Sequence, residues 1–335
     1  MSNVSIGDMA QTYSFRRQSA HLKTEMGRLG NELTTGRTSD MAKRFSGDFT
    51  MVSGIETALK TLHAYKTATK EATQYATAQQ ASLGVMQEQS NAAVSALLLT
   101  STASSQTQVQ NTAIDVRQKF DAVVSALNTQ VGGRSVFAGA ATDKPATASS
   151  SSILADLQVA IAGQTTAAGV ASAVDDWFNL PGGYDASGYL GSTNPLTPFK
   201  IGVGQNADMS VTASDPTVRE TLKNLALASL VADGALAGDL QEQALLLKRA
   251  GDGMLSIGNK QTKMRASLGA VEAQIETVSV QIDSEISGLE IARTELLSVD
   301  SYKAASELEA VKTQLETLYA LTSRMSRMNL VDFLR

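Results

Sequence analysis

The residues in this sequence that could do chemistry are few, and each stands alone. Two histidines, His21 and His63, occur in 335 residues, and there is no cysteine. Each histidine falls in a helical pattern with no second ligand at helical spacing. Neither therefore offers the paired imidazoles of a metal site or a base with an orienting partner. The lack of cysteine removes disulfides, thiolate metal sites and thiol nucleophiles together. "GVGQNA" (Gly202 to Ala207) matches the loose form G-x-G-x-x-A of a dinucleotide fingerprint. That fingerprint works only between a strand and a helix, with an acidic residue further on; here another strand-like run follows, so strand–turn–strand is expected. Asp175 and Asp176, beside Trp177, could be half of an acid/base pair, but acids favoured by a helix macrodipole are the simpler account. The basic pairs Arg16–Arg17 and Lys43–Arg44 are too sparse for a nucleic-acid patch, and a net charge of −5 argues against binding a phosphate backbone. No catalysis, cofactor, metal or nucleic acid is expected.

A chain this long exceeds one ordinary core and is expected to divide into two or three domains. Aromatic residues make up only 5%, with Trp177 the single tryptophan, so packing must rely on small side chains, which slender helical bundles tolerate well. The longest apolar patch is about Ala96 to Leu99, far below the eighteen or so residues of a membrane helix, and no membrane insertion is expected. The opening "MSNVSIGDMAQTYSFRRQSA" lacks the apolar core and cleavage site of a secretory signal. Passage out of the cell would then use a route that reads an uncleaved terminus.

Helical spacing dominates both halves of the chain. Ile6, Met9 and Tyr13 fall at three-four spacing, and Leu22, Met26, Leu29 and Leu33 resume it in a shifted phase. "TTGRTSD" (Thr34 to Asp40) breaks the pattern with turn residues. Periodicity returns at Val52, Ile55, Leu59 and Leu62 and runs towards Leu83, Met86, Val94 and Leu97. Val109, Ala113, Val116, Phe120, Val123 and Leu127 then keep a strict four-three alternation. In the C-terminal half, Leu268, Val271, Ile275, Val278, Ile282, Leu289, Ala292 and Leu296 occupy heptad a and d positions, with Glu285 as one polar interruption. After a one-residue phase shift near Leu297, the stripe continues through Leu308, Val311, Leu315, Leu318 and Met325. Leu330, Phe333 and Leu334 extend it in a displaced phase, which suggests contact with more than one neighbour.

Between these halves, about Gly132 to Asp215, come most of the prolines, a serine run and the alternating "FKIGVGQNADMSVTA". This reads as short strands and turns, with brief helices near Leu154 to Ile161 and Val170 to Leu180. Helix resumes over Thr217 to Ala250, with Gly234, Gly238, Gly251 and Gly253 as expected breaks. The fold class expected is mainly α: a long antiparallel coiled-coil or helical-bundle rod formed by N- and C-terminal segments, with a smaller mixed α/β or β-rich central insert. The expected segments are an N-terminal helix over 1–45, rod helices over 46–138, an outward-facing insert over 139–215, rod helices over 216–296 and a C-terminal helix over 297–335.

Three stretches carry a resemblance. "NELTTGRTSD" after a heptad-like helix is similar to the N-terminal pattern of the flagellin family, and the closing helix ending "NLVDFLR" resembles that family's C-terminal segment. "GGRSVFAGAATDKPA" (Gly132 to Ala146) is similar to the hook-associated side of the family rather than to the filament subunit, as is "IGVGQNADMSVTASDPTVRETLKNLALAS". Where the family commonly has Asp-Asp-Pro-Ala-Gly, this chain reads "DMAKRFSGD" (Asp40 to Asp48). The resemblance implies a structural, non-enzymatic part of the bacterial flagellum, outside the cell, at the junction between hook and filament. It implies export as an unfolded chain through the flagellar export apparatus with a chaperone. It also implies a ring of identical copies, with a hook-associated neighbour on one side and filament subunits on the other. Assembly would run through the terminal helices, at Ile6, Met9, Tyr13, Leu315, Leu318, Met325, Leu330, Phe333 and Leu334. The seam at Leu268, Val271, Ile275, Val278, Ile282, Leu289 and Leu296 would hold the rod. A filament subunit is the alternative within the family, and a cytoplasmic coiled-coil adaptor the alternative outside it.

Overall fold

The computed structural model describes residues 6–100 and 105–333, with side chains over 9–100 and 105–325. It is mainly α, with long packed helices and, among the described residues, two small two-stranded sheets. The chain forms two compact units. The first comprises 1–62 and 284–335, the second 63–283, so the boundaries fall within two long helices, one over Thr50–Thr100 and one over Leu240–Leu297.

The first unit is built on α1 (Ile6–Thr35) and α9 (Ser301–Phe333). They run antiparallel: Gln11 Nε2 lies 3.9 Å from Met325 Sδ, whereas Gly36 O accepts from Val299 N at 3.0 Å. The turn after α1 explains the "TTGR" stretch. Gly36 adopts φ +67°, the left-handed conformation that closes a helix without a Cβ clash, and its N–H donates to Glu32 O at 2.8 Å. Thr38 N then donates to Leu297 O, so an isolated bridge between Arg37 and Ser298 stitches this turn to the junction between α8 (Leu240–Leu297) and α9. Glu32 is buried inside the stitch, and its carboxylate accepts from Ser39 N at 2.8 Å and Arg28 Nη1 at 2.9 Å. A buried carboxylate is tolerated there because both oxygens are paired. The short helix α2 (Met41–Arg44) follows, capped by Asp40, and Asp300 caps α9 in the same way.

In the second unit α3 (Thr50–Thr100) and α8 pack antiparallel, as the pairs Lys66–Asp283, Gln87–Thr262 and Ser90–Gln261 show. Helices α4 (Gln106–Leu127) and α7 (Pro216–Ala232) complete the bundle. All six residues of the strict four-three run on α4 are buried. Helix α7 is buried nearly all round, from Thr221 through Val231, as expected of a helix surrounded by others. Gly251 and Gly253 do not break α8, contrary to expectation. A Cβ on Gly251 would meet Leu97 Cβ at 3.1 Å, and one on Gly253 would collide with Asn224, so these glycines admit neighbouring helices at close range. Gly234 and Gly238, by contrast, have φ +92° and +94° and sit in the turn between α7 and α8.

The segment 139–215 lies in this same compact unit. It holds α5 (Ser150–Ala160), α6 (Ala167–Asn179), a single π-helical turn (Tyr184–Gly188) and the hairpin of β3 (Phe199–Gly202) with β4 (Gln205–Ala207). "GVGQNA" is thus a hairpin turning at Gly204, with φ +69°. The hairpin of β1 (Gln130–Val131) and β2 (Arg134–Ser135) leads in from α4. Its continuation, Val136 to Gly139, is buried, and Gly139 at φ +60° would place a Cβ 2.6 Å from two carbonyl oxygens, Ser192 O and Asn194 O. The "FAG" of the family-like motif is therefore a backbone crossing that only glycine permits. Arg219 on α7 clamps the segment. Its guanidinium donates to Phe178 O and Asp185 and lies 5.3 Å from the centre of the Tyr184 ring.

Two buried polar groups yield predictions. Gln261 Nε2 donates to Ser90 Oγ at 3.0 Å and Thr221 Oγ1 at 2.9 Å, joining α3, α7 and α8 through one amide. Both hydroxyls also donate within their own helices, to Met86 O and Thr217 O, so neither is orphaned when the amide leaves. Gln261→Leu should therefore change stability in urea by less than about 1 kcal/mol, whereas Gln261→Glu, burying a charge, should cost several. Equal melts for the two variants would contradict this account.

Tyr75 donates from its hydroxyl to Val136 O at 2.8 Å, and burial pushes its pKa up to about 12. Because the folded value lies above the unfolded value near 10, its stabilising effect is complete below pH 10 and is lost between pH 10 and 12. Tyr75→Phe should lower stability by about 1–2 kcal/mol at pH 8, and the gap should narrow as pH rises from 10 to 12. Denaturant melts at pH 8, 10 and 12 measure it.

Candidate functional site

Nothing in the described residues gathers into a reactive centre. No group of three or more His, Cys, Asp or Glu side chains is placed to hold a metal ion among them, and none of their helices is long and apolar enough to cross a membrane. A cleft of about 240 Å3 in the first unit mixes Arg28, Lys43 and Lys303 with Glu32, Asp40 and Glu307, so its charges largely compensate. A second, of about 220 Å3, lies beside Tyr75, Arg134 and Phe199. What the chain does present is a set of helix faces, some covered and some not.

The residues of the long seam are placed as follows. Leu268, Ile275, Val278 and Ile282 are buried in the second unit, and Val271 is half-buried. Beyond the boundary, Leu289 and Leu296 are half-buried, and the buried positions on α8 are Ile286 and Leu297. Glu285 is exposed, so the interruption at that heptad position is resolved by a one-residue shift of the buried face. Ile275, Ile286 and Leu297 follow each other at eleven residues, close to the natural turn of a straight helix. The sequence placed the shift near Leu297; the burial pattern places it at Ile286.

On the terminal helices, Leu315 and Leu318 are buried and Met325 half-buried. Met9 and Tyr13 are exposed at 62% and 70%. The side chains of Ile6, Leu330 and Phe333, and Leu334 as a whole, lie outside the described residues. From Met9 to Arg28 no side chain of α1 is buried; the first that is, Leu29, comes at 2%. Phe15, Ser19, Leu22 and Met26, spaced by four and three, are half-buried and form the face turned to α9. Lys23 lies 5.8 Å from the centre of the Tyr319 ring, and its ammonium, with Ser19, draws the Tyr319 pKa down. Leu33, Ile291, Tyr302 and Leu321 add further exposed apolar surface to this unit. Sequence reasoning named Met9 and Tyr13 but missed Tyr302, which is 86% exposed. Its neighbours are polar, so no apolar stripe marked it.

These helices can be compared with known proteins. Residues 256–334, which include all of α9 and the C-terminal part of α8, match the family model of the bacterial flagellin C-terminal helical region. The class is thus a mainly helical chain carrying a flagellin-type C-terminal region. Among solved structures the chain is similar to the crystal structure of Bacillus cereus FlgL, at 13% identity and a TM-score of 0.46, covering 71% of this chain and 100% of that one. It is also similar to a putative flagellar hook-associated protein from Vibrio parahaemolyticus, at 14% identity and a TM-score of 0.38, covering 71% and 99%. No curated protein matches the sequence significantly.

The seam on α8 is testable by charge. Ile275 is 1% exposed and Gln274, beside it, is exposed. Ile275→Asp should cost several kcal/mol by burying an unpaired carboxylate, and Gln274→Asp less than about 0.5. Thermal melts followed by circular dichroism decide it; similar losses at both positions would show the burial pattern to be misassigned.

Proposed function

We propose that this chain is a structural component of the bacterial flagellum that forms the junction between hook and filament. The observation that carries the reading is the flagellin-type region over 256–334, whose α9 packs along the chain's own N-terminal helix. The unburied stretch of α1 supports it, since a long helix with apolar side chains left uncovered usually marks a contact surface. The motif "GGRSVFAGAATDKPA" favours the hook-associated side of the family over the filament subunit. On this reading the chain leaves the cell unfolded through the flagellar export apparatus, escorted by a chaperone. It then assembles through its terminal helices into a ring of identical copies, between a hook-associated neighbour and the filament. The five segments expected from the sequence, with 1–45 and 297–335 as the tube-lining layer, belong to the same proposal.

Deleting the gene and locating an epitope-tagged copy by immunogold electron microscopy tests this. Cells without the chain should keep hooks, lack attached filaments and shed filament subunits into the medium. Label should sit as a single band between hook and filament. Label along the whole filament would instead identify a filament subunit, and label confined to the cytoplasm would identify an adaptor.

A further inference from the structure

The α1/α9 pair has two uncovered faces, and their chemistry is complementary. On α1, Met9, Tyr13, Arg16 and Arg17 are all exposed. At 100° per residue they fall on one stripe, roughly 140° around the helix from the Phe15–Leu22–Met26 face that meets α9. On α9, Tyr302, Glu309 and Glu316 recur every seven residues and are likewise exposed. They lie roughly 150° around from the face holding Ala304, Leu315 and Leu318. One stripe is apolar, aromatic and cationic; the other is aromatic and acidic. Because each lies away from the contact between the helices, the two stripes look outward on opposite sides of the pair.

Charge is also graded along the pair. The described residues 9–24 and 317–325 include Arg16, Arg17, Lys23 and Arg324 and no carboxylate. Glu309 and Glu316 lie further along α9 towards the turn that joins it to α8. Within one copy the two stripes cannot meet. Interpolated between Gln11 beside Met325 and Lys23 beside Tyr319, Arg16 lies near the level of α9 residues 322–323. Glu316 and Glu309 are therefore displaced from it by about 10 and 20 Å along the axis, on the far side of the pair. Lys312, 3.9 Å from Glu309, is the one described cation paired with this acidic face, and that pair is exposed and weak.

We propose that the outward stripe of α1 docks against the outward stripe of α9 on a second copy of this chain, with Arg16 and Arg17 facing Glu309 and Glu316. The contact joins two different surfaces, so each copy keeps one of each free, and repetition builds a ring or helix rather than a closed dimer. Neighbours would be offset by about 10–20 Å along the helix axis, the displacement that brings the cations level with the carboxylates. Met9 and Tyr13 supply the apolar part of the contact, and the charges set its register and direction. This rests on the assembly reading above and names the surfaces that carry it.

The full-length chain tests it in two ways that do not require flagella. In sedimentation velocity at low salt, the wild type should self-associate at high concentration, and at least tenfold less at 300 mM salt. Arg16→Glu/Arg17→Glu and Glu309→Arg/Glu316→Arg should each weaken association at least tenfold with helicity unchanged, and the four changes combined should restore it. In the second test, Arg16→Cys and Glu316→Cys are introduced together, on a background with no native cysteine. Mild oxidation should then give a ladder of dimers, trimers and higher species. A wild type that stays monomeric at low salt, a quadruple variant that is not rescued, or oxidation that stops at dimers would each overturn the contact. So would loss, in the Arg16→Glu/Arg17→Glu variant, of binding to phosphatidylglycerol vesicles with self-association intact. A junction band in the immunogold experiment would stand regardless of these outcomes, so the two readings fail separately.

Discussion

Every long helix in this protein depends on a partner drawn from a distant part of the chain. Isolated helices gain little from propensity alone and need a packed face. Here α1 is covered by α9, and the 63–100 part of α3 by α8, through pairs such as Gln11–Met325, Ser90–Gln261 and Lys66–Asp283. The devices that strengthen these pairings are correspondingly non-local. The turn at Gly36 bonds to Leu297 and Val299, the buried amide of Gln261 reaches two other helices, and Gly251 and Gly253 let neighbouring helices approach closely.

The two units answer this constraint differently. In 63–283 the pairings are layered: α7 is enclosed by helices, and the insert is clamped to it through Arg219 and the stacked rings of Phe178, Tyr184 and Tyr189. Tyr184 donates its hydroxyl to Ala213 O, and burial pushes its pKa well above the usual tyrosine range. In the other unit a helix pair has only one covered side, and aromatic and charged groups are left on its outer faces. The outer faces of the α1/α9 pair, with Met9, Tyr13 and Tyr302 uncovered, are the surface that the proposed assembly role would use.

The features that the sequence revealed are those in which a local rule and the tertiary structure agree. Val109 to Leu127 alternates strictly and is buried at each stripe position; Gly36 ends a helix as its φ demands; "GVGQNA" turns at Gly204. What stayed hidden has its cause elsewhere in the chain. Gly251 and Gly253 read as helix breaks because the crowding that makes them useful comes from Leu97 and Asn224. Gln261 reads as a surface residue until two hydroxyls from other helices are placed beside it. Ile286 replaces Glu285 on the buried face because a straight helix drifts out of a seven-residue repeat. For the candidate surface, Met9 and Tyr13 were legible as apolar periodicity, whereas no apolar pattern marks Glu309 and Glu316. Their seven-residue spacing from Tyr302 puts them on one stripe, and the direction of the α9 packed face shows that it points outward.

The pairing of α1 with α9 also has a consequence in time. Helix α1 is made well before the helix that covers it, 314 residues separating Gln11 from Met325 on α9. At roughly 5–20 residues per second, a ribosome leaves α1 uncovered for about twenty seconds to a minute. During that interval the first unit cannot close, however fast its helices form. Until α9 is made, the Phe15–Leu22–Met26 face of α1 is therefore without its cover and open to whatever binds nascent chains.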